Sequence, residues 1–494
     1  NDILTLRLSG KDESEIKDTL RRRYEGIARR VKQMAPEDVF QAFINAFTLS
    51  VEPHTSYMSP RLSENFDIGM RLSLQGIGAV LRSANELQGG DRIVGVGQGD
   101  TGVMEDVVGW RLQDVVDLIR GPKDSVVRLD ILPSSQGVGG RSREVTLIRD
   151  KIKLEDKAAK KEIIELDGGL RLGVIEIPAF YRDFGAQAAG AKDFRSTTRD
   201  VRVLLEQLQA DHVDGIVVDL RRNGGGSLSE ATELTGLFIE KGPVVQVKDS
   251  SGKVEVERDP DPKQVYAGPL AVLVDRNSAS ASEIFAGAIQ DYHRGLIMGE
   301  PTFGKGTVQT LVDLGRFLRS RKDIGRLRLT MAQFFRVDGG STQHRGVTPD
   351  IVFPTATGAA DHGERALENA LPWYEIKPAA HAQLGALSVN ALRDASKLRV
   401  AKDPGFQFLM AEQEDLIALE KRKTVSLREP VRRAEWERRE KDRLDRRNRL
   451  RVFRGLTPLA SLEDDDKPRG DDAEKDEEGI MRIMLEESAN ILAD

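Results

Sequence analysis

Pro269-Leu-Ala-Val-Leu-Val-Asp-Arg-Asn-Ser-Ala-Ser-Ala-Ser-Glu-Ile-Phe-Ala-Gly-Ala-Ile-Gln290 is the stretch that decides the fold. Its first third is a short apolar run of the kind that forms a fully buried strand, and from Ser282 onward small and apolar residues recur at helical spacing. Ser280 therefore falls where a strand hands over to a helix. Such a corner exposes a hydroxyl at the carboxyl edge of a sheet and aims the N–H groups of the helix start at developing negative charge. Lys305 of Gly304-Lys305-Gly306-Thr307 follows 25 positions later. Together they read as a nucleophilic serine and its lysine base.

Around this stretch, from about residue 158 to residue 363, strands alternate with helices. Leu172–Ile177, Gly215–Leu220, Val244–Val247, Leu270–Val274 and Leu296–Met298 read as strands, with helices from Thr198 to Gln209, near Glu230 to Ile239 and after Ser280. The alternation predicts one mostly parallel sheet covered by helices, with ligand chemistry at the carboxyl ends of its strands.

A serine hydroxyl needs a base, and a lysine serves only when neutral, which requires burial or a neighbouring positive charge. Phe303 and the apolar run Gly295–Met298 supply such surroundings for Lys305. The six histidines are scattered through the chain, which argues against a Ser-His-Asp triad. His293, the nearest rival, reads as a surface residue at a helix end. Acyl transfer also needs an oxyanion site, and Leu220-Arg-Arg-Asn-Gly-Gly-Gly226 directly follows a strand. Ser278 and Ser282 compete with Ser280, and spacing alone does not choose among the three.

Gly299-Glu-Pro-Thr-Phe-Gly-Lys305 fits the first seven positions of a phosphate-binding loop, but the eighth is Gly306, without the hydroxyl that would hold Mg²⁺. Thr307-Val-Gln-Thr-Leu-Val312 reads as a strand where that motif opens a helix. An ATPase is thereby disfavoured, and no cofactor or metal is expected. Gly95-Val-Gly-Gln-Gly99 reads as a glycine-rich hairpin rather than a dinucleotide site.

The chain has 494 residues, enough for three or four units, with a net charge of −6 that offers nucleic acid no general attraction. It has no cysteine, which excludes disulfides, zinc-thiolate sites and a cysteine nucleophile. No segment approaches the ~18 apolar residues of a membrane span. The start Asn1-Asp-Ile3 reads as a processed form or a fragment.

Residues 1–70 are expected to be helical, with Pro36-Glu37 opening a second helix. Residues 364–494 are expected to be charged helix, basic over 421–450 and acidic over 463–466 and 471–478, ending in a flexible tail. Ile480-Met-Arg-Ile-Met-Leu485 with Ile491-Leu492 forms a short apolar helix that could dock on a partner or back onto the protein.

Residues 71–157 read as β-rich: Leu72–Leu81, Gly90–Val96, a helix near Val107–Ile119, Ser125–Leu132 and Arg143–Ile148. That order resembles a PDZ domain. The resemblance implies that Gly76, Ile77 and Gly78 bind the carboxylate of a substrate's C-terminus, while the following strand pairs with the peptide. The interval from Leu81 to Leu87 is shorter than the pattern requires, which points to a truncated domain or a loop missing near 86–87.

Leu-Arg-Arg-Asn-Gly-Gly-Gly, Asn-Ser-Ala-Ser-Ala-Ser-Glu-Ile-Phe, Gly-Glu-Pro-Thr-Phe-Gly-Lys-Gly-Thr-Val-Gln and Gly346-Val-Thr-Pro-Asp350, in this order after a PDZ-like segment, resemble the carboxyl-terminal processing proteases of peptidase family S41, in particular their tail-specific branch. The resemblance implies a multidomain α+β protein: a PDZ domain and an α/β ClpP/crotonase-like serine protease core, flanked by helical N- and C-terminal regions. It implies Ser280 as nucleophile, Lys305 as general base and Gln309 as the group orienting it. The N–H groups of Ala281 and of Gly225 or Gly226 form the oxyanion hole. Asp291, Glu283 and Thr302 are supporting groups. The implied enzyme is an ATP-independent, periplasmic bacterial endopeptidase acting on polypeptides with free apolar C-termini, with a lipoprotein adaptor as a further partner. The alternative is a catalytically inactive PDZ scaffold.

Overall fold

The computed structural model describes residues 2–76, 91–133, 142–166, 168–261, 263–317, 323–355, 362–385, 388–462 and 471–494, with side chains from 479 in the last segment. Ile77 and Gly78 lie outside the described residues, as does the interval near 86–87. The chain forms two compact units, one of residues 1–63, 159–182 and 196–494, the other of residues 64–158 and 183–195.

The larger unit is built on a six-stranded sheet ordered Ile351–Val352, Leu296–Gly299, Leu270–Val274, Gly215–Asp219, Arg171–Glu176, Lys160–Glu165. All neighbours are parallel except the last pair. The register sets Asp219 beside Leu273 and Leu273 beside Met298, so three strands end side by side. Alternate side chains of the central strands enter two cores. Ile216, Val218, Val272 and Val274 pack with the helices Thr197–Ala210, Leu228–Gly236 and Ala281–Asp291. Val217, Ala271 and Leu273 face Phe406, Leu409, Leu450, Ile483 and Ile491 of the C-terminal helices. Burial on both faces is why these strands read as unbroken apolar runs.

Two expectations are corrected here. Val244–Val247 does not join the parallel sheet. Its strand, Pro243–Asp249, turns back antiparallel into Val254–Arg258 and pairs on its other edge with Arg326–Phe335, which also binds Ser56–Met58 and Thr307–Asp313. The tight turn after Asp249, whose carboxylate accepts from Ser251 N and Lys253 N, leaves no length for a parallel crossover. Nor do the acidic residues 471–478 belong to a flexible tail ahead of the closing helix. Residues 471–493 form one helix, and its apolar face docks back onto the protein's own sheet.

At the N-terminus the helices Glu13–Lys32 and Pro36–Val51 occur where the periodicity placed them. The smaller unit has an antiparallel sheet ordered Met104–Asp106, Arg92–Gln98, Val126–Leu132, Arg143–Ile148, a separate pair Ser73–Gly76 with Asp150–Lys153, and helices that include Leu112–Ile119 and the short Phe184–Ala188. Val127, Leu129 and Ile131 alternate into its core with Val96, Val115 and Val145.

Candidate active site

Two chain reversals meet where strands Gly215–Asp219 and Leu270–Val274 end. Asp275 ties them together: its Oδ1 accepts from Asn277 N at 2.9 Å, from Ser278 N at 3.0 Å and, across the sheet, from Arg222 N at 3.0 Å. Asn223, wholly buried, is the reciprocal tie. Its carbonyl accepts from Ala279 N and from Ser282 Oγ, and its Nδ2 donates to Ile177 O.

This scaffold separates the three serines. Ser278 is buried and donates to Leu220 O at 2.8 Å, and Ser282 is buried and donates to Asn223 O at 2.9 Å. Ser280 stands alone at the corner, half-buried, with φ 56° and ψ −109°, a backbone conformation costly for any side chain. No hydrogen bond engages its Oγ among the described residues. Ala281 begins the helix directly after it.

The glycine loop lies against this corner. A Cβ on Gly225 would stand 2.9 Å from Ser280 Cβ and 2.8 Å from Ala279 O, and Gly225 has φ +100°, so only glycine fits. Of the N–H groups expected to bind an oxyanion, that of Gly225 donates to Asn223 Oδ1 at 2.9 Å. Those of Gly226 and Ala281 have no hydrogen-bond partner among the described residues.

Lys305 follows strand Leu296–Gly299 in the loop before Thr307–Asp313. Burial, seconded by the Arg328 guanidinium, lowers its ammonium pKa from 10.5 to about 8 against the opposing pull of Glu364, Glu283 and Glu52. Its Nζ donates to Gln309 Oε1 at 2.6 Å, and Gln309 is itself fixed by Thr307 and Thr330. No hydrogen bond joins Nζ to Ser280 Oγ. Serine corner and lysine loop are instead joined by the fully buried Glu283. Its Oε2 accepts from Ser280 N at 2.7 Å and Lys305 N at 3.0 Å, and its Oε1 from Thr302 Oγ1 and Gly304 N, both at 2.7 Å. Burial pushes this carboxyl up to about 7, while the four donors pull the other way.

Asp291 is not brought to the serine. It ends the helix that Ser280 starts, about 16 Å along at ~1.5 Å per residue, and pairs with Arg336. Gly76 ends its strand opposite Asp150 in the smaller unit. Asp275 and Asn223 lie within the sequence motifs, but their tying roles depend on contacts between two strands that no local spacing encodes. His54, Arg328, Gln343 and Glu364 were missed, since no local spacing relates them to Lys305. Among the described residues no cluster of His, Asp and Glu could hold a metal, and no helix is long and apolar enough to cross a membrane.

An unbonded serine on a strained strand-to-helix corner, a glycine loop beside it and a lysine with a lowered pKa are the kinds of group that acyl transfer requires. Comparison with known families agrees. Residues 171–353 match peptidase family S41, residues 1–61 the tail specific protease N-terminal domain, and residues 358–494 the C-terminal domain of tail specific protease. A tail-specific protease of Haemophilus influenzae is 41% identical, covering 100% of this chain and 71% of its own. A carboxy-terminal-processing protease of Bartonella bacilliformis is 32% identical over 67% of this chain and 74% of its own. The crystallised PDZ domain of a carboxy-terminal protease from Vibrio cholerae, in complex with peptide, is 46% identical over 17% of this chain and 100% of its own, with a TM-score of 0.15. The chain belongs to peptidase family S41, in its tail-specific branch, and is thus a serine endopeptidase acting on polypeptides.

Proposed function

We propose that this endopeptidase cleaves with a Ser280/Lys305 dyad, without ATP, after capturing the apolar C-terminus of an unstructured or misfolded envelope protein. The observation that carries the dyad is the contrast among the three serines. Two are buried and bonded to carbonyls, whereas Ser280 Oγ is unbonded at a strained corner tied through Glu283 to the loop of a lysine with a lowered pKa.

In the proposed reaction neutral Lys305 takes the Ser280 hydroxyl proton as Oγ attacks the scissile carbonyl carbon. The oxyanion is held by Ala281 N–H with that of Gly225 or Gly226. Collapse breaks the C–N bond, the Lys305 ammonium protonates the leaving amine, and water then hydrolyses the acyl-enzyme by the same proton route. Gln309 orients Nζ, Glu283 and Thr302 hold corner and loop in register, and Asp291 anchors the far end of the serine helix.

Substrate capture is assigned to residues 71–157 as a PDZ domain, with Gly76, Ile77 and Gly78 at its carboxylate site. The antiparallel sheet, the helix Leu112–Ile119 and the strand Ser73–Gly76 support that reading. The remaining proposed divisions are 1–70, 158–363 and 364–494. The periplasm is the proposed compartment, with a lipoprotein adaptor as partner. Peptide hydrolysis by Ser280→Ala is the test: activity near that of the parent sinks the dyad, and a drop to background with Ser278→Ala still active supports it. Equal cleavage of one unstructured polypeptide ending in apolar residues or in aspartate would sink the capture.

A further inference from the structure

Two rails hold the lysine loop. The inner one is Glu283. The outer one starts at Glu364, wholly buried, whose N–H donates to Phe303 O at 3.0 Å. Glu364 Oε1 accepts from Gln343 Nε2 at 2.9 Å, and Gln343 Oε1 accepts from Gly306 N at 2.8 Å. The residues on both sides of Gly304-Lys305 are therefore tied to Glu364, Phe303 through its backbone N–H and Gly306 through Gln343, the amide partner of its carboxylate. The next side chain, Thr342, donates to Lys305 O at 3.1 Å. His54, from the far N-terminal part of the chain, closes the arrangement with Nε2 at 2.8 and 3.0 Å from the two Glu364 oxygens. The backbone N–H of His54 donates to Glu52 Oε2.

Glu364 and His54 both lie outside the matched peptidase segment 171–353: His54 falls in the N-terminal and Glu364 in the C-terminal tail-specific match. We propose that Glu364, held by His54 and Gln343, is a positioning residue for Lys305, and that the flanking regions of the chain thereby complete the peptidase site. The proposal rests on the reading of Lys305 as the base. A buried carboxylate held by two polar side chains, His54 and Gln343, is rigid, because releasing either of them strands a charge in the interior. Rigidity at Phe303 and Gly306 becomes placement of Nζ, since the lysine stem hangs between them. A displacement of about 1 Å at a reacting group costs on the order of 100-fold in rate.

A merely structural role would not touch the charge of the base. The charged groups that act on Lys305 are Arg328, Glu364, Glu283 and Glu52; Arg328 favours the neutral lysine and the three carboxylates the protonated one. Neutralising Glu364 while keeping its shape therefore moves the acid limb of the pH profile to lower pH even as loss of the tie slows turnover.

The test is steady-state hydrolysis by the full chain of a quenched fluorogenic polypeptide without stable structure, ending in apolar residues, from pH 5.5 to 9.5. Glu364→Gln is expected to lower kcat about 10- to 100-fold, leave KM within about twofold, and shift the acid limb downward. His54→Ala, at a half-buried position that melting curves can certify as folded, is expected to lower kcat likewise. His54→Gln, whose amide can donate to Glu364, is expected to restore most of it. Parent-like kcat in Glu364→Gln and His54→Ala, or a fall in kcat with an unmoved limb, overturns the proposal. Lys305→Ala is run alongside: if it is active, the base assignment falls and the proposal with it, whereas if it is inactive an unchanged Glu364→Gln refutes the positioning role alone.

Discussion

On the proposed mechanism the active protonation state is the neutral amine of Lys305, so its pKa sets the acid side of the pH profile. With a pKa of about 8, about one molecule in ten is ready at pH 7; at the ordinary 10.5 it would be about one in three thousand. The lowered pKa is thus worth about 300-fold in the concentration of competent enzyme at neutral pH. kcat/KM should rise about tenfold from pH 6 to 7, about fivefold from 7 to 8, and less than about twofold beyond. The assay is initial-rate cleavage of the fluorogenic polypeptide well below KM at constant ionic strength, with enzyme integrity checked at each pH by circular dichroism. Arg328→Met gives the sign control. Removing the guanidinium that favours the neutral lysine must move the limb to higher pH. A profile flat from pH 6 to 9, or a limb that moves to lower pH in Arg328→Met, would refute the reasoning.

Gly225→Ala is expected to lose about 100-fold or more in kcat, the scale of a lost oxyanion donor, because its methyl would strike Ala279 O and Ser280 Cβ; Gly224→Ala, with nothing within 4 Å of the added carbon, should stay within a few-fold of the parent. Lys305→Met should be inactive yet more stable. An unfolded lysine keeps a proton between pH 8 and 10.5 that the folded one gives up, so at pH 7 the charged, desolvated ammonium weakens the fold by up to about 3 kcal/mol, less whatever its bond to Gln309 returns. Urea titration of variant and parent at pH 7 reads the difference, and a variant less stable than the parent contradicts it. Glu283→Gln should cost about 2–4 kcal/mol by the same measurement, since an amide sets its NH₂ against backbone N–H donors that now share a carboxylate.

How much of this could be read from residues alone depended on the range of the force involved. The serine corner was legible because Leu270–Val274 is buried on both faces and leaves an apolar run, while the helix after it leaves a period. Val244–Val247 carries the same strand signal, but its sheet is chosen by the turn after Asp249, so the strand was found and its partner was not. Ser56–Met58 was hidden between Pro53 and Pro60, and its apolar side chains acquire meaning only beside Arg326–Phe335. His54 and Glu364 stand 310 positions apart, a separation that leaves no periodic trace. What distinguishes Ser280 from Ser278 and Ser282 is likewise tertiary: two carbonyls, from Leu220 and Asn223, claim the rivals.

The same bonds say how such a site is kept intact when empty. Gly225 N–H rests on Asn223 Oδ1, and Lys305 Nζ rests on Gln309 Oε1. A buried donor with no partner costs about 1–3 kcal/mol, so these internal acceptors remove a penalty the free enzyme would otherwise carry. On the proposed mechanism, with Gly225 as the oxyanion donor, turnover then becomes an exchange of partners. Binding a neutral substrate carbonyl in place of the Asn223 amide oxygen gains little, because one neutral acceptor replaces another. Binding the oxyanion replaces it with a charged acceptor, whose hydrogen bonds are roughly twice as strong. On that mechanism the exchange is driven mainly when charge has formed on the substrate, so the net stabilisation falls on the transition state rather than on the bound substrate.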